Sequence, residues 1–162
     1  MGVYESFNPL QQRYFDQHAF YETRHSARFM FIRFITGQIH KDSHVSTGLF
    51  CAARDLLWSD GLPEYEFDAL SELRRWFSAY LDSPFDHLSH DERYDRAICW
   101  FKATAGEYLE RAWDLVTILE RNDVYVWTIR SQKTGYVYYE DDAQVFAEPF
   151  HDLHQILLEG GK

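Results

Sequence analysis

His40, Asp42 and His44 stand at alternate positions in the run His40-Lys41-Asp42-Ser43-His44. An extended backbone would place all three on one side, and a helix would place the two histidines on one face, four residues apart. Two imidazoles and a carboxylate can hold a divalent transition metal such as Zn²⁺ or Fe²⁺ with positions left open, the starting point of a metal-dependent hydrolase or oxygenase. The spacing is not that of an established signature such as H-E-x-x-H, and the segment follows Gly37 in an expected loop. A solvated polar loop with no cofactor is the favoured reading, since motif matches alone are weak. His87 and His90 before Asp91-Glu92, and His151-Asp152 with His154, read as a polar connection and an exposed helix side.

Glu140-Asp141-Asp142 gathers three carboxylates that could take a hard cation, but it lacks the spaced oxygens of a calcium loop. A tight hairpin turn is the simpler reading, because aspartate hydrogen-bonds its own backbone there. Nucleophilic catalysis finds no G-x-S-x-G elbow, and phosphate handling finds neither a Walker loop nor G-x-G-x-x-G. Cys51 and Cys99 form no CxxC pair and lie in apolar surroundings, so both are expected to be reduced, buried thiols.

The elements that would position these groups follow from periodicity. Asn8-Pro9 reads as a cap and first-turn proline for a helix over about Pro9 to Thr23. Phe29 to Ile35 is rich in aromatic and β-branched residues, is interrupted by Arg33 and stops at Gly37; a strand is expected, with a helix competing. Leu49, Ala52, Ala53, Leu56 and Leu57 recur at helical spacing. Leu70, Leu73, Phe77 and Leu81 trace a second helix from about Glu64, so the two form an αα-hairpin. Ala97 to Phe101 reads as a short buried strand. Thr104-Ala105-Gly106-Glu107 has capping-box spacing ahead of a helix ending near Asn122.

Val124 to Arg130, Gly135 to Glu140 and Ala143 to Glu148 read as three strands joined by short turns, with a short helix after Pro149. The expected class is α+β: an antiparallel sheet with a C-terminal three-stranded meander, and helices, including the αα-hairpin, packed on it. Pairing through the turns puts Trp127 opposite Tyr138, Ile129 opposite Tyr136, Val126 opposite Tyr139, and Tyr138 opposite Val145. One face then carries Tyr125, Trp127, Tyr136 and Tyr138. The aliphatic face, with Val126 and Val137, would seat the helix over about 105–122.

Residues 1–162 read as one domain, of a size that buries roughly 70% of its unfolded surface without disulfides or metal. Charged residues are 26% and hydrophobic residues 46%, which excludes wholesale disorder. The formal charge of −10 disfavours direct binding to nucleic acid or an anionic membrane. No basic-then-apolar leader opens the chain, and the longest apolar stretch is too short to span a bilayer. The expected compartment is the cytoplasm.

Two groups of residues resemble, as patterns, small uncharacterised bacterial proteins. One is Gly37-Gln38-Ile39-His40 with Asp42-Ser43 and Gly48-Leu49-Phe50. The other is Trp100-Phe101-Lys102 followed by Gly135-Tyr136-Val137-Tyr138-Tyr139-Glu140-Asp141 and Gln144 to Phe150. The resemblance spans about two-thirds of the chain and implies a bacterial cytosolic setting; it brings no activity, cofactor or catalytic residue.

Aromatic side chains make up 18% of the chain, and Tyr and Trp are residues that partner surfaces favour. The leading expectation is a non-enzymatic adaptor, regulator or acidic inhibitor. It would bind a protein with a basic surface through Tyr125, Trp127, Tyr136 and Tyr138, with Glu140, Asp141 and Asp142 steering; a homodimer is the alternative partner. The alternatives are the metal enzyme on His40, Asp42 and His44, and a small-molecule binding domain in which tyrosine hydroxyls and Trp100 or Trp127 orient an apolar ligand.

Overall fold

A computed structural model describes residues 30–39, 46–88 and 94–150. The candidate metal set His40, Asp42 and His44, the helix expected over 9–23 and the one expected beyond Pro149 lie outside the described residues. The strands are β1 (Phe31–Ile39), β2 (Ser46–Gly48), β3 (Ile98–Lys102), β4 (Val126–Ser131), β5 (Tyr136–Glu140) and β6 (Gln144–Glu148). The helices are α1 (Leu49–Leu57), α2 (Glu64–Tyr80) and α3 (Gly106–Arg121), with a short 3₁₀ turn at Pro84–Asp86. The class is α+β, with an antiparallel sheet and the α1–α2 pair packed beside α3.

Each helix buries the stripe its sequence repeats. Leu49, Ala52, Ala53 and Leu56 of α1 meet Leu70, Leu73 and Phe77 of α2 and Leu109, Ala112, Leu115, Val116 and Leu119 of α3. Phe34, Phe101 and Val126 complete this core from one side of the sheet. The other side carries a smaller cluster of Ile35, Ile98, Trp100 and Ile129, with Phe31 beside it. The α3 start differs from the capping-box expectation. Ala105, not Thr104, is the N-cap, and no side chain caps the helix. The chain leaves β3 by a tight turn in which Ala105 N–H donates to Lys102 O and Gly106 N–H to Thr104 O, so backbone groups take the capping role.

The C-terminal strands form where expected but pair differently. β5 and β6 make a hairpin; β4 instead pairs along β1, from Phe31↔Ser131 to Thr36↔Val126. Trp127 therefore stands opposite Ile35, not Tyr138, and Ile129 opposite Arg33. The hairpin is also out of the expected register, by two residues beside the turn, where Glu140↔Val145, and by one beyond an irregularity between Val137 and Tyr139, where Val137↔Ala147. The cause is the turn. The Asp141 carboxylate accepts from Ala143 N–H at 2.7 Å and Gln144 N–H at 2.8 Å, which lengthens the loop and resets the pairing.

Side by side, the sheet runs β4-β1-β3-β6-β5, with β2 sharing one edge of β1 with β3. The strands joined by 132–135 therefore lie on opposite margins. Four inter-strand spacings alone are about 19 Å, and Ser131 and Tyr136 lie toward opposite ends of the strands, so a flat sheet would separate them by about 25 Å. The link can reach about 18 Å at most. The sheet must curl, and Gly135 shows how tightly the link is drawn in. Its φ is +116°, and a Cβ there would collide with the Glu148 carbonyl. β1 also runs through Gly37, where the strand was expected to stop. The Trp127 ring covers that glycine, and an added Cβ would lie 3.1 Å from Cζ3.

Candidate functional site

β4 occupies one edge of β1 continuously, so β3 and β2 must share the other. β3 pairs there only through Phe31↔Lys102 and Ile32↔Phe101; from Ile35 onward the partner is β2. The sheet is thus split beside the first half of β3. Lys102 N–H donates toward β6, to Ala143 O, and Ala103 N–H toward β1, to Met30 O. Strand alternation then directs the Cys99 N–H and C=O toward the β1 side, where the β1–β3 ladder has ended.

A half-open cavity of about 400 Å³ occupies this split. That volume falls at the small end of the range for ligand pockets, roughly 300–1,000 Å³. Phe34, Phe50, Phe85, Phe101 and Phe146 supply aromatic walls, and Cys51 and Cys99 line it from α1 and β3. Arg33 and Trp100, from the opposite side of the sheet, reach it through the split.

Arg33 is only 7% exposed. Burial lowers its pKa to about 10, and the two cysteines beside it push weakly the other way. It therefore keeps its charge at neutral pH, in a wall where water solvates that charge poorly. Cys99 is reached by water from the cavity mouth, yet the protein crowding it drives the thiol up to about 11, with Arg33 offsetting and Asp141 reinforcing. Both cysteines are free thiols as expected, but they are cavity-lining, Cys51 half-buried and Cys99 exposed, not core residues. A thiol so raised is protonated at pH 7 and is a poor nucleophile. Trp100 is 2% exposed, and its indole N–H has no hydrogen-bond partner among the described residues. A buried orphan donor costs free energy unless something else accepts from it.

The wall beside β6 is fixed by Asp141. Burial alone would raise its pKa. Hydrogen bonds from the Gln144 side chain, the N–H groups of Ala143 and Gln144, and the Tyr139 hydroxyl outweigh that and lower it. Gln144 Nε2 also donates to Asp82 O at 2.6 Å, tying the turn to the segment after α2. The same surroundings push Tyr139 up to about 12, burial first and the Asp141 hydrogen bond second.

The residues chosen for partner contact are not brought onto one surface through strand pairing. Tyr125 and Trp127, 39% and 37% exposed, touch edge to face at 5.0 Å on the β4 margin. Tyr136, 64% exposed, meets Phe150 on the β5 margin. Tyr138 is half-buried; its hydroxyl donates to Glu148 at 2.8 Å and its ring meets Tyr94. Glu140 pairs with Lys102 Nζ at 2.7 Å, Asp141 is committed to its turn, and Asp142 is exposed. Sequence reasoning passed over Arg33 as an interruption. An arginine inside an apolar strand needs a polar opening at that point, and that was the available signal.

The chain matches no family model, no curated protein and no solved structure. Among the described residues, no three His, Cys, Asp or Glu side chains gather to hold a metal, and no helix is long and apolar enough to cross a membrane.

Proposed function

We propose that this chain is a small-molecule binding domain whose ligand seats in the cavity between β1, β3 and α1. The observation that carries this reading is the conjunction of aromatic walls with a buried guanidinium and a buried indole whose N–H has no partner among the described residues. Apolar walls with a few convergent polar groups are the usual makeup of a ligand pocket. The raised Cys99 thiol fits binding better than nucleophilic chemistry.

The test is a thermal-shift screen of small metabolites against the unaltered chain and a Cys99→Phe variant, which fills the mouth. A ligand at a hundred times its Kd adds about 2.7 kcal/mol, or about 5 °C or more in Tm. The shift should vanish in Cys99→Phe; a shift retained there puts the ligand elsewhere.

A second reading is the non-enzymatic protein-interaction protein, favoured by the exposed pairs Tyr125–Trp127 and Tyr136–Phe150. It expects capture of a basic partner that weakens as salt rises and is lost in Trp127→Ala. Capture unaffected by that substitution would count against it.

A further inference from the structure

Resting on the cavity reading, we infer that the ligand is a planar, fused-ring aromatic molecule of two to three rings, held between two walls of phenylalanine. The phenylalanines that line the cavity fall into two sets. Phe34 on β1, Phe50 on α1 and Phe101 on β3 form the first; Phe101 meets Phe34 at 6.3 Å and Phe50 at 6.2 Å, both edge to face. Phe85 on the 3₁₀ turn and Phe146 on β6 form the second, 5.3 Å apart and again edge to face. Among the described residues, ring contacts join members within each set and none joins one set to the other. The cavity is the space between them.

Ring geometry separates an aromatic occupant from an aliphatic one. Edge-to-face walls present both the positive rim and the negative face of a ring, and a guest ring complements both, a gain beyond area burial. A saturated molecule of the same skeleton gains burial alone. The walls are also set before anything binds. Phe34, Phe101 and Phe146 are buried, and Phe77 holds Phe50 edge to face at 4.9 Å. Such a slot favours a rigid occupant, because a flexible chain loses rotamer freedom on entering. Size follows from volume. An apolar cavity of about 150 Å³ takes one benzene. At about 400 Å³, this one has room for two to three rings.

The experiment is calorimetric titration of the full chain with 2-naphthol, its saturated counterpart decahydro-2-naphthol, and phenol, repeated on Cys99→Phe and Phe85→Leu. The two ten-carbon alcohols share a skeleton and a hydroxyl, so burial of apolar area alone does not favour the flat one. 2-Naphthol should bind about fivefold or more tighter than decahydro-2-naphthol, and about tenfold tighter than phenol. Its ring-proton signals should move upfield on binding, as protons over ring faces do. Phe85→Leu, at an exposed position, keeps apolar bulk but removes one ring, and should reduce the preference about threefold. Cys99→Phe should abolish binding of all three. Equal or tighter binding of the saturated alcohol, lost in Cys99→Phe, overturns the aromatic ligand and leaves the cavity reading standing. A preference unchanged in Phe85→Leu does the same, and phenol as tight as 2-naphthol overturns the ring count. Binding retained in Cys99→Phe puts the ligand elsewhere and overturns the cavity reading as well. If none of the three binds, the aromatic ligand falls and the metabolite screen alone decides the cavity.

Discussion

Trp100 and Trp127 sit on the two strands that flank β1, 2% and 37% exposed. Trp100 reaches a concavity beside a buried arginine; Trp127 lies on the margin of the sheet over a glycine. The residue type is the same, and the work done by position differs. At the split, aromatic rings surround a buried guanidinium and an indole N–H that has no partner among the described residues. At the margins, Tyr125–Trp127 and Tyr136–Phe150 offer area alone, and their neighbouring carboxylates are partly spent on Lys102 and on the Asp141 turn. Aromatic content therefore does not mark a site until polar groups converge with it.

Substitution of the two indoles should separate these regions most widely. Trp100→Ala should cost about 3–5 kcal/mol by urea unfolding, as a buried aromatic does. Trp127→Ala should cost only about 1 kcal/mol, because much of that ring already meets water. Similar costs would mean that the margin is as structural as the cavity.

Next in size is Gly135→Ala, which touches the link holding the two margins together. The positive φ and the Glu148 carbonyl, which stands where the new methyl group would go, leave no room. A loss of about 2–4 kcal/mol is expected. A neutral result would mean that the link is not drawn in and the curl is not needed.

Asp141→Ala should cost about 2 kcal/mol, since hydrogen bonds to an ionised carboxylate are the strong kind and this group is only partly buried. The pH sense follows from its lowered pKa. The contribution is fully present above the unfolded value, about 4, and is lost as pH falls through the lower folded value. Urea midpoints from pH 6 down to pH 2.5 should therefore converge for the unaltered chain and Asp141→Ala at the acid end.

The smallest effect is kinetic. Cys99 is reached by water but its thiol is held near 11. The thiolate fraction falls about a hundredfold against an ordinary cysteine, and greater intrinsic nucleophilicity returns about tenfold. Alkylation followed by mass spectrometry should find Cys99 about tenfold slower than a free thiol. A faster rate would reopen the question of covalent chemistry in the cavity.

Helix positions were legible because apolar spacing alone specifies which stripe is buried, as at Leu109, Ala112, Val116 and Leu119. Strand positions were legible for the same reason. Pairing was not. A four-residue link between β4 and β5 looks like a hairpin, and nothing local reveals that β1, some ninety residues earlier, takes β4 along its edge from Phe31 to Thr36. The split followed from that pairing, so the cavity and Arg33 could not be read before it. Asp141 as a turn residue was legible, since its preference acts within three positions.

Binding in the cavity is best checked by following the tryptophan indole ¹⁵N–¹H signals as a hit from the thermal-shift screen is added. The Trp100 signal is expected to move, because that ring lines the cavity, while those of Trp58 and Trp127 stay in place. Movement of Trp127 with Trp100 unchanged would transfer binding to the sheet margin and contradict the cavity.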